Sequence, residues 1–160
     1  MNDVIVQKLK AQFPQSIEAT NEFRGDLTVQ VRKQDIVKVC EFLKNDAELS
    51  FDMVIDLCGV DMYRPEGRFE VVYNLYSVKN KKYVRLKVLV DEDNPVVDTV
   101  TSVWSGANWH ERETYDMFGI TFKGHPDLRR MYMPEEYEYY PLRKDFPTMG
   151  ITDSIPLPRK

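Results

Sequence analysis

The sequence predicts an α+β fold, with helices packed on a mostly antiparallel sheet and an extended C-terminal segment rich in proline and tyrosine. Three observations carry this. Two stretches near the N-terminus repeat apolar residues every three to four positions, three longer stretches are alternating or rich in β-formers, and the C-terminal part keeps neither period.

Ile5, Leu9 and Phe13 stand four apart, which predicts a short amphipathic helix over residues 4–13, stopped by Pro14. Ile17 to Thr20 and Leu27 to Val31 alternate and predict two strands joined at Gly25. Over residues 33–44, Ile36, Val39, Cys40 and Leu43 share one helical face, with Lys and Glu outside. Phe51, Met53, Ile55 and Leu57 then alternate with Asp52 and Asp56. Phe69 to Val78 is rich in β-branched and aromatic residues, and Val84, Leu86, Val88 and Val90 alternate with Arg85 and Lys87. Polar turns at Arg64–Gly67 and Lys79–Lys82 predict hairpins and an antiparallel meander. Pro95 opens a stretch in which Val97, Val100 and Trp104 fall near one face, predicting a helix that ends at Gly106. A last helix, Trp109 to Phe118, is predicted with Asn108 as N-cap, Glu111 closing a capping box, and Gly119 as the C-terminal stop.

These elements predict a body over residues 1–122 and a partner-binding extension over residues 123–160. The extension holds six of the nine prolines and four of the nine tyrosines. Flexible linkers lack Phe, Tyr, Met and Leu at such density, so the segment reads as a strap laid across another protein, with few contacts to its own body. Tyr132, Tyr137, Tyr139 and Tyr140 suit interface anchors.

Composition excludes several function classes. A net charge of −4 argues against nucleic acid as a partner. No apolar run approaches the ~20 residues that span a bilayer, and the N-terminus lacks the basic-then-apolar layout of a secretion signal, so membrane contact is expected only through other proteins. Cys40 and Cys58 lack the clustered soft ligands of a zinc or iron–sulfur site, and neither lies near a basic cluster that would activate a thiolate. His110 and Glu111 begin a near miss to the zinc-protease helix, but Thr114 stands where the second histidine belongs. No glycine-rich phosphate loop is present. His125, Asp127 and Glu113 could be drawn as an acid–base set, yet His125-Pro126-Asp127 reads better as a rigid turn whose side chains tie down the backbone. No catalytic, cofactor-binding or metal-binding residue is expected.

The informative stretch runs from Glu111 to Arg130. On the predicted helix Glu111, Tyr115 and Phe118 share a face, while Arg112 and Asp116 form an i, i+4 pair beside it. A carboxylate pinned against aromatics needs a basic partner, and Arg129 and Arg130 are expected to supply it. The basic pairs Arg129-Arg130 and Arg143-Lys144 have acidic neighbours (Glu135, Glu136, Glu138, Asp145), which favours protein–protein salt bridges over lipid headgroups.

Glu111, Arg112, Glu113, Asp116, Gly119, Gly124, His125, Pro126, Asp127, Leu128, Arg129 and Arg130 together resemble the signature of the 30-kilodalton subunits of respiratory complex I, the C-type subunits of bacterial NADH-quinone oxidoreductase. A second block, Pro141-Leu142-Arg143-Lys144-Asp145-Phe146-Pro147, also resembles that family; Tyr139-Tyr140 departs from the Gly-His that often precedes it. The end soon after this block resembles the short form, unfused to the neighbouring large subunit. The resemblance implies a peripheral-arm subunit on the cytoplasmic face of a bacterial inner membrane. It implies no cofactor in this chain, the FMN and iron–sulfur clusters lying in partner subunits. It also implies packing against the 49-kilodalton-type (D-type) subunit and the cluster-bearing B-type and I-type subunits, in an assembly that passes electrons from NADH to quinone and translocates protons. Related membrane-bound hydrogenases, or quinone oxidoreductases with another electron donor, carry an equivalent subunit. Nothing in these residues reads the donor.

Overall fold

A computed structural model describes residues 1–151. The elements in chain order are α1 (Asn2–Gln12), β1 (Ile17–Phe23), β2 (Asp26–Val31), a 3-10 turn (Lys33–Asp35), α2 (Ile36–Asn45), β3 (Met53–Asp61), β4 (Phe69–Ser77), β5 (Lys82–Val90), β6 (Val96–Asp98), α3 (Ala107–Phe118) and β7 (Thr121–Lys123). The five long strands form one sheet in the order β1-β2-β5-β4-β3. The pairings β1–β2, β3–β4 and β4–β5 are antiparallel, and β2–β5 is parallel. The α+β expectation holds.

The periodicities explain the layers. Ile5 and Leu9 of α1, and Ile36, Val39, Cys40 and Leu43 of α2, are fully buried. They form one core with Val71, Tyr73 and Leu75 of β4 and Val84, Leu86, Val88 and Val90 of β5, which line a single face because strand side chains alternate. The opposite face is knitted by polar pairs: Lys87 to Glu70 at 2.8 Å, and Arg85 to the Asn74 side-chain oxygen at 3.1 Å.

Three expectations fail. The helix from Pro95 to Gly106 is absent. Val96–Asp98 instead form a short strand parallel to β7, and the Pro95 carbonyl accepts the Thr121 amide at 2.7 Å. A single turn follows, in which the Val100 carbonyl accepts the amides of Val103 and Trp104. Strand plus turn mimics a helical spacing of apolar residues, and the β-branched pair Val96-Val97 favours the strand. In β3 the alternation breaks at an irregularity between Val54 and Asp56, so Leu57 is buried while Met53 and Ile55 are 48% and 41% exposed. The capping box is also absent. Gly106 precedes α3 without any side-chain cap, and Glu111 turns inward.

Candidate functional site

Helix α3 carries the first half of the signature and is seated by two glycines. Gly59 of β3 lets the helix come close: a β-carbon there would lie 2.7 Å from the Phe118 ring and 2.9 Å from the Thr114 methyl. Gly119 ends the helix at φ +75°, donating its amide to the Tyr115 carbonyl at 2.8 Å. Its missing β-carbon also makes room for Tyr140 and Arg143, each of which would otherwise be met at 2.7 Å.

The two carboxylates facing inward from α3 have different fates. Asp116 is fully buried and gathers the extension. Its Oδ2 accepts the backbone amides of Met131, Tyr132 and Met133 at 2.9, 2.6 and 3.1 Å, and its Oδ1 accepts Arg130 Nη1 at 2.7 Å. Burial alone would raise this carboxyl, but the amides of Tyr132 and Met133, Arg130 and the amide of Met131 together hold it below its ordinary value. Glu111, equally inaccessible, meets no arginine among the described residues. Its Oε1 accepts the Val100 amide at 2.8 Å, and its Oε2 accepts the Thr99 hydroxyl. Burial pushes this carboxyl up to about 7 against those two bonds. The expected Glu111–arginine network is therefore corrected to Asp116–Arg130, because the strap crosses α3 nearer its C-terminal end.

The expected Arg112–Asp116 pair is corrected as well. Arg112 stacks over Trp109 and donates to the carbonyls of Arg129 and Arg130 at 3.1 and 3.3 Å. Arg129 pairs with Asp127 at 2.7 Å. The reading of His125-Pro126-Asp127 as a turn whose side chains tie down the backbone holds for the His125 ring and is corrected for the Asp127 carboxylate, which is taken by the Arg129 side chain. His125 Nδ1 accepts the Asp127 amide at 3.0 Å, which leaves Nε2 to donate to the Asn108 carbonyl at 3.2 Å. Leu128 packs against the core, Gly124 turns the chain at φ +83°, and Tyr115 is half-buried.

The second block closes over the C-terminal end of α3. Leu142 donates its amide to the Met117 carbonyl, and Arg143 Nε donates to the Phe118 carbonyl at 2.7 Å while its guanidinium lies over the rings of Tyr140 and Phe69. Pro141 and Phe146 are half-buried, and the Phe146 amide turns back onto the Arg143 carbonyl. Lys144 donates its amide to Asp61 at 2.8 Å, and Asp145 pairs with Arg68 at 2.9 Å. Asp61 and Arg68 are themselves a buried pair, 2.9 Å apart. Burial opposes ionisation of Asp61, yet Arg68 and the amides of Lys144 and Tyr63 bring its carboxyl down to about 2. The expectation of few contacts between strap and body is thus overturned through residue 146. Residues 152–160 of the predicted extension lie outside the described residues.

Sequence reasoning missed Asp61, Arg68, Gly59 and Thr99. Asp61 and Arg68 flank the Arg64–Gly67 turn, a spacing that could have suggested a cross-strand pair, but nothing linked them to Lys144 and Asp145. Burial raises both thiols, with the Asp56 charge adding at Cys58 and the Glu111 charge at Cys40, which disfavours thiolate chemistry. Among the described residues no group of three or more His, Cys, Asp or Glu could hold a metal ion, and no helix is long and apolar enough to cross a membrane. What the arrangement can do is hold an extended segment rigidly against a helix and present the outer side of both.

That outer side has relatives. Residues 29–152 match the family model of the respiratory-chain NADH dehydrogenase 30 Kd subunit. The C-type subunit of NADH-quinone oxidoreductase from Roseiflexus sp. (strain RS-1) is 53% identical over 146 residues, covering 91% of this chain and 84% of the relative. Its counterpart from Geotalea uraniireducens (strain Rf4) is 49% identical over 149 residues, covering 93% and 90%. Among solved structures, the trypsin-resistant fragment of Nqo5 superposes with a TM-score of 0.66 at 31% identity, covering 80% of this chain and 100% of that one. A chain of an archaeal membrane-bound sulfane sulfur reductase shares the fold, with a TM-score of 0.76 at 24% identity over 92% of this chain and 86% of that one. The matched region spans both signature blocks and the carboxylates that bind them, and the chain belongs to the 30-kilodalton subunit family of respiratory-chain NADH dehydrogenase.

Proposed function

We propose that the chain is a non-catalytic peripheral-arm subunit of a proton-translocating NADH:quinone oxidoreductase, on the cytoplasmic face of the inner membrane. In this reading it carries no cofactor and no active site of its own. It packs against the 49-kilodalton-type subunit, with the cluster-bearing B-type and I-type subunits nearby, and supports electron transfer from NADH to quinone. The observation that favours a docking role is the division of the signature. Asp116, Phe118, Gly119, Arg130 and Arg143 lie on the inner side and lock the strap, while Glu111 points inward to the connection before α3. Trp109 and Tyr132 remain 61% and 59% exposed, and the charged Glu113, one helical turn beyond Trp109, and Arg129 are exposed as well. Exposed aromatics beside charged groups are the composition of a protein interface, and burying them against a partner would remove apolar area from water.

Identity of about half to two NADH-quinone oxidoreductase subunits favours NADH as the donor over a hydrogenase-type or other donor. The fold shared with the sulfane sulfur reductase does not separate the two. Affinity purification of the full chain from its own cells, with mass spectrometry of what accompanies it, tests the proposal. Co-purification of the 49-kilodalton-type subunit with flavin-carrying NADH-input subunits is expected. Recovery of a nickel-ligating large subunit, or of no oxidoreductase subunit, would overturn it.

A further inference from the structure

Glu111 and His125 form a buried pair that the docking role does not use. Both side chains are wholly inaccessible, and Nε2 lies 3.9 Å from Oε2, the one basic group within ion-pair distance of Glu111 among the described residues. Neither histidine nitrogen is free to compensate the carboxylate. Nε2 serves the Asn108 carbonyl on α3, and Nδ1 accepts the Asp127 amide. A proton added at Nδ1 would set one N–H against another and break the bond that closes the turn.

The other groups facing the pair offer no charge of the needed sign. The β6–α3 connection contributes the Thr99 hydroxyl and the Val100 amide. From α2 comes the Cys40 thiol and from β4 the buried Tyr73 hydroxyl, which has no hydrogen-bond partner among the described residues; burial keeps both protonated. Asp98 of β6 adds negative charge near Tyr73. On the strap side Arg129 is taken by Asp127, and Arg112 by the carbonyls of Arg129 and Arg130. An ionised Glu111 is therefore a buried anion without a cation, which is costly, whereas a protonated one keeps its two partners and adds a donor.

We propose that the Glu111–His125 pair is a proton-operated latch. With a proton on Glu111 the His125 turn stays closed on α3, and loss of that proton to water opens residues 124–130 for His125 to reorient or for water to enter. The elevated carboxyl at Glu111 fits this geometry. Because the folded state binds the proton more tightly than an unfolded chain, the stabilisation is complete below the ordinary carboxyl range and is lost as pH rises through about 7. The latch concerns the chain alone and stands or falls independently of its partners.

Hydrogen exchange of the full chain tests it, with rates over residues 123–131 corrected for intrinsic pH dependence. Between about pH 5.5 and about pH 8.5 the wild type should lose protection there by roughly tenfold or more. Glu111→Gln, which keeps the bond from the Val100 amide and can donate from its own amide nitrogen to the Thr99 oxygen without titrating, should stay protected throughout. An equal loss in the variant, or none in the wild type, would overturn the latch. Should Glu111→Gln fail to fold, a carboxyl-carbon NMR titration of wild-type Glu111 decides. A midpoint near neutrality supports the latch, and one in the ordinary carboxyl range contradicts it.

Discussion

Asp116 and Glu111 stand on the same helix and are equally inaccessible, yet one is surrounded by donors and the other by two neutral partners and an occupied histidine. The difference shows what a buried carboxylate requires: a full set of donors, or a proton. Asp116→Asn removes the charge that faces Arg130 and leaves the arginine, buried at its side chain, with only the Asp116 and Tyr139 carbonyls to accept from it. It should cost about 3 kcal/mol, read as a lower Tm, and should hasten tryptic cleavage after Arg130 under native conditions. Unchanged melting and cleavage would refute the clamp. At Asp61 the carboxyl is depressed to about 2, so its contribution is present above the ordinary carboxyl value and is lost as pH falls through about 2. Acid titration of stability should therefore show a drop between about pH 4 and about pH 2 that Asp61→Asn flattens. An identical acid limb in the variant would remove Asp61 as its source.

At the scale of elements, α3 is held where it is by what is missing beneath it. Gly59→Ala would place a methyl group 2.7 Å from the Phe118 ring, so the helix must lift from β3. The expected loss is about 1–3 kcal/mol by chemical denaturation, with near-ultraviolet circular dichroism changing as Phe118 and its neighbours move. Gly119→Ala faces both a left-handed backbone and the Tyr140 ring, and should destabilise the second block more than the body, visible as exchange at residues 140–146. The body of α3 and its stop at Gly119 were legible from spacing and from the glycine, whereas its start was not: the helix begins at Ala107, and Asn108, expected as N-cap, lies inside it. The inward turn of Glu111 was legible only as a shared face with Tyr115 and Phe118; helical period says which side chains point together, not what waits opposite. For the same reason Thr99, a non-helical neighbour twelve positions upstream, left no trace in the pattern. The false helix over Pro95–Gly106 came from apolar spacing alone, where the β-branched pair Val96-Val97 was the better guide.

Across the whole molecule, the local pairings were legible and the distant ones were not. Hairpins β3–β4 and β4–β5 follow from polar turns between β-rich stretches, whereas the parallel pairings β2–β5 and β6–β7 join segments with no turn between them to signal contact. The strap was legible as aromatic and structured, but its anchorage was not. Asp61 and Lys144 lie 83 positions apart, and only the folded body brings a buried carboxylate to that amide. Anchored in this way, the strap and α3 leave Trp109, Glu113, Arg129 and Tyr132 exposed, and docking runs through these residues in the proposed function. Its most direct test is the affinity of the full chain for the 49-kilodalton-type subunit when Trp109→Ala and Glu113→Lys are combined. Roughly 30-fold or greater weakening, about 2 kcal/mol, is expected, with an unchanged Tm. Wild-type affinity in a normally folded double variant would contradict it.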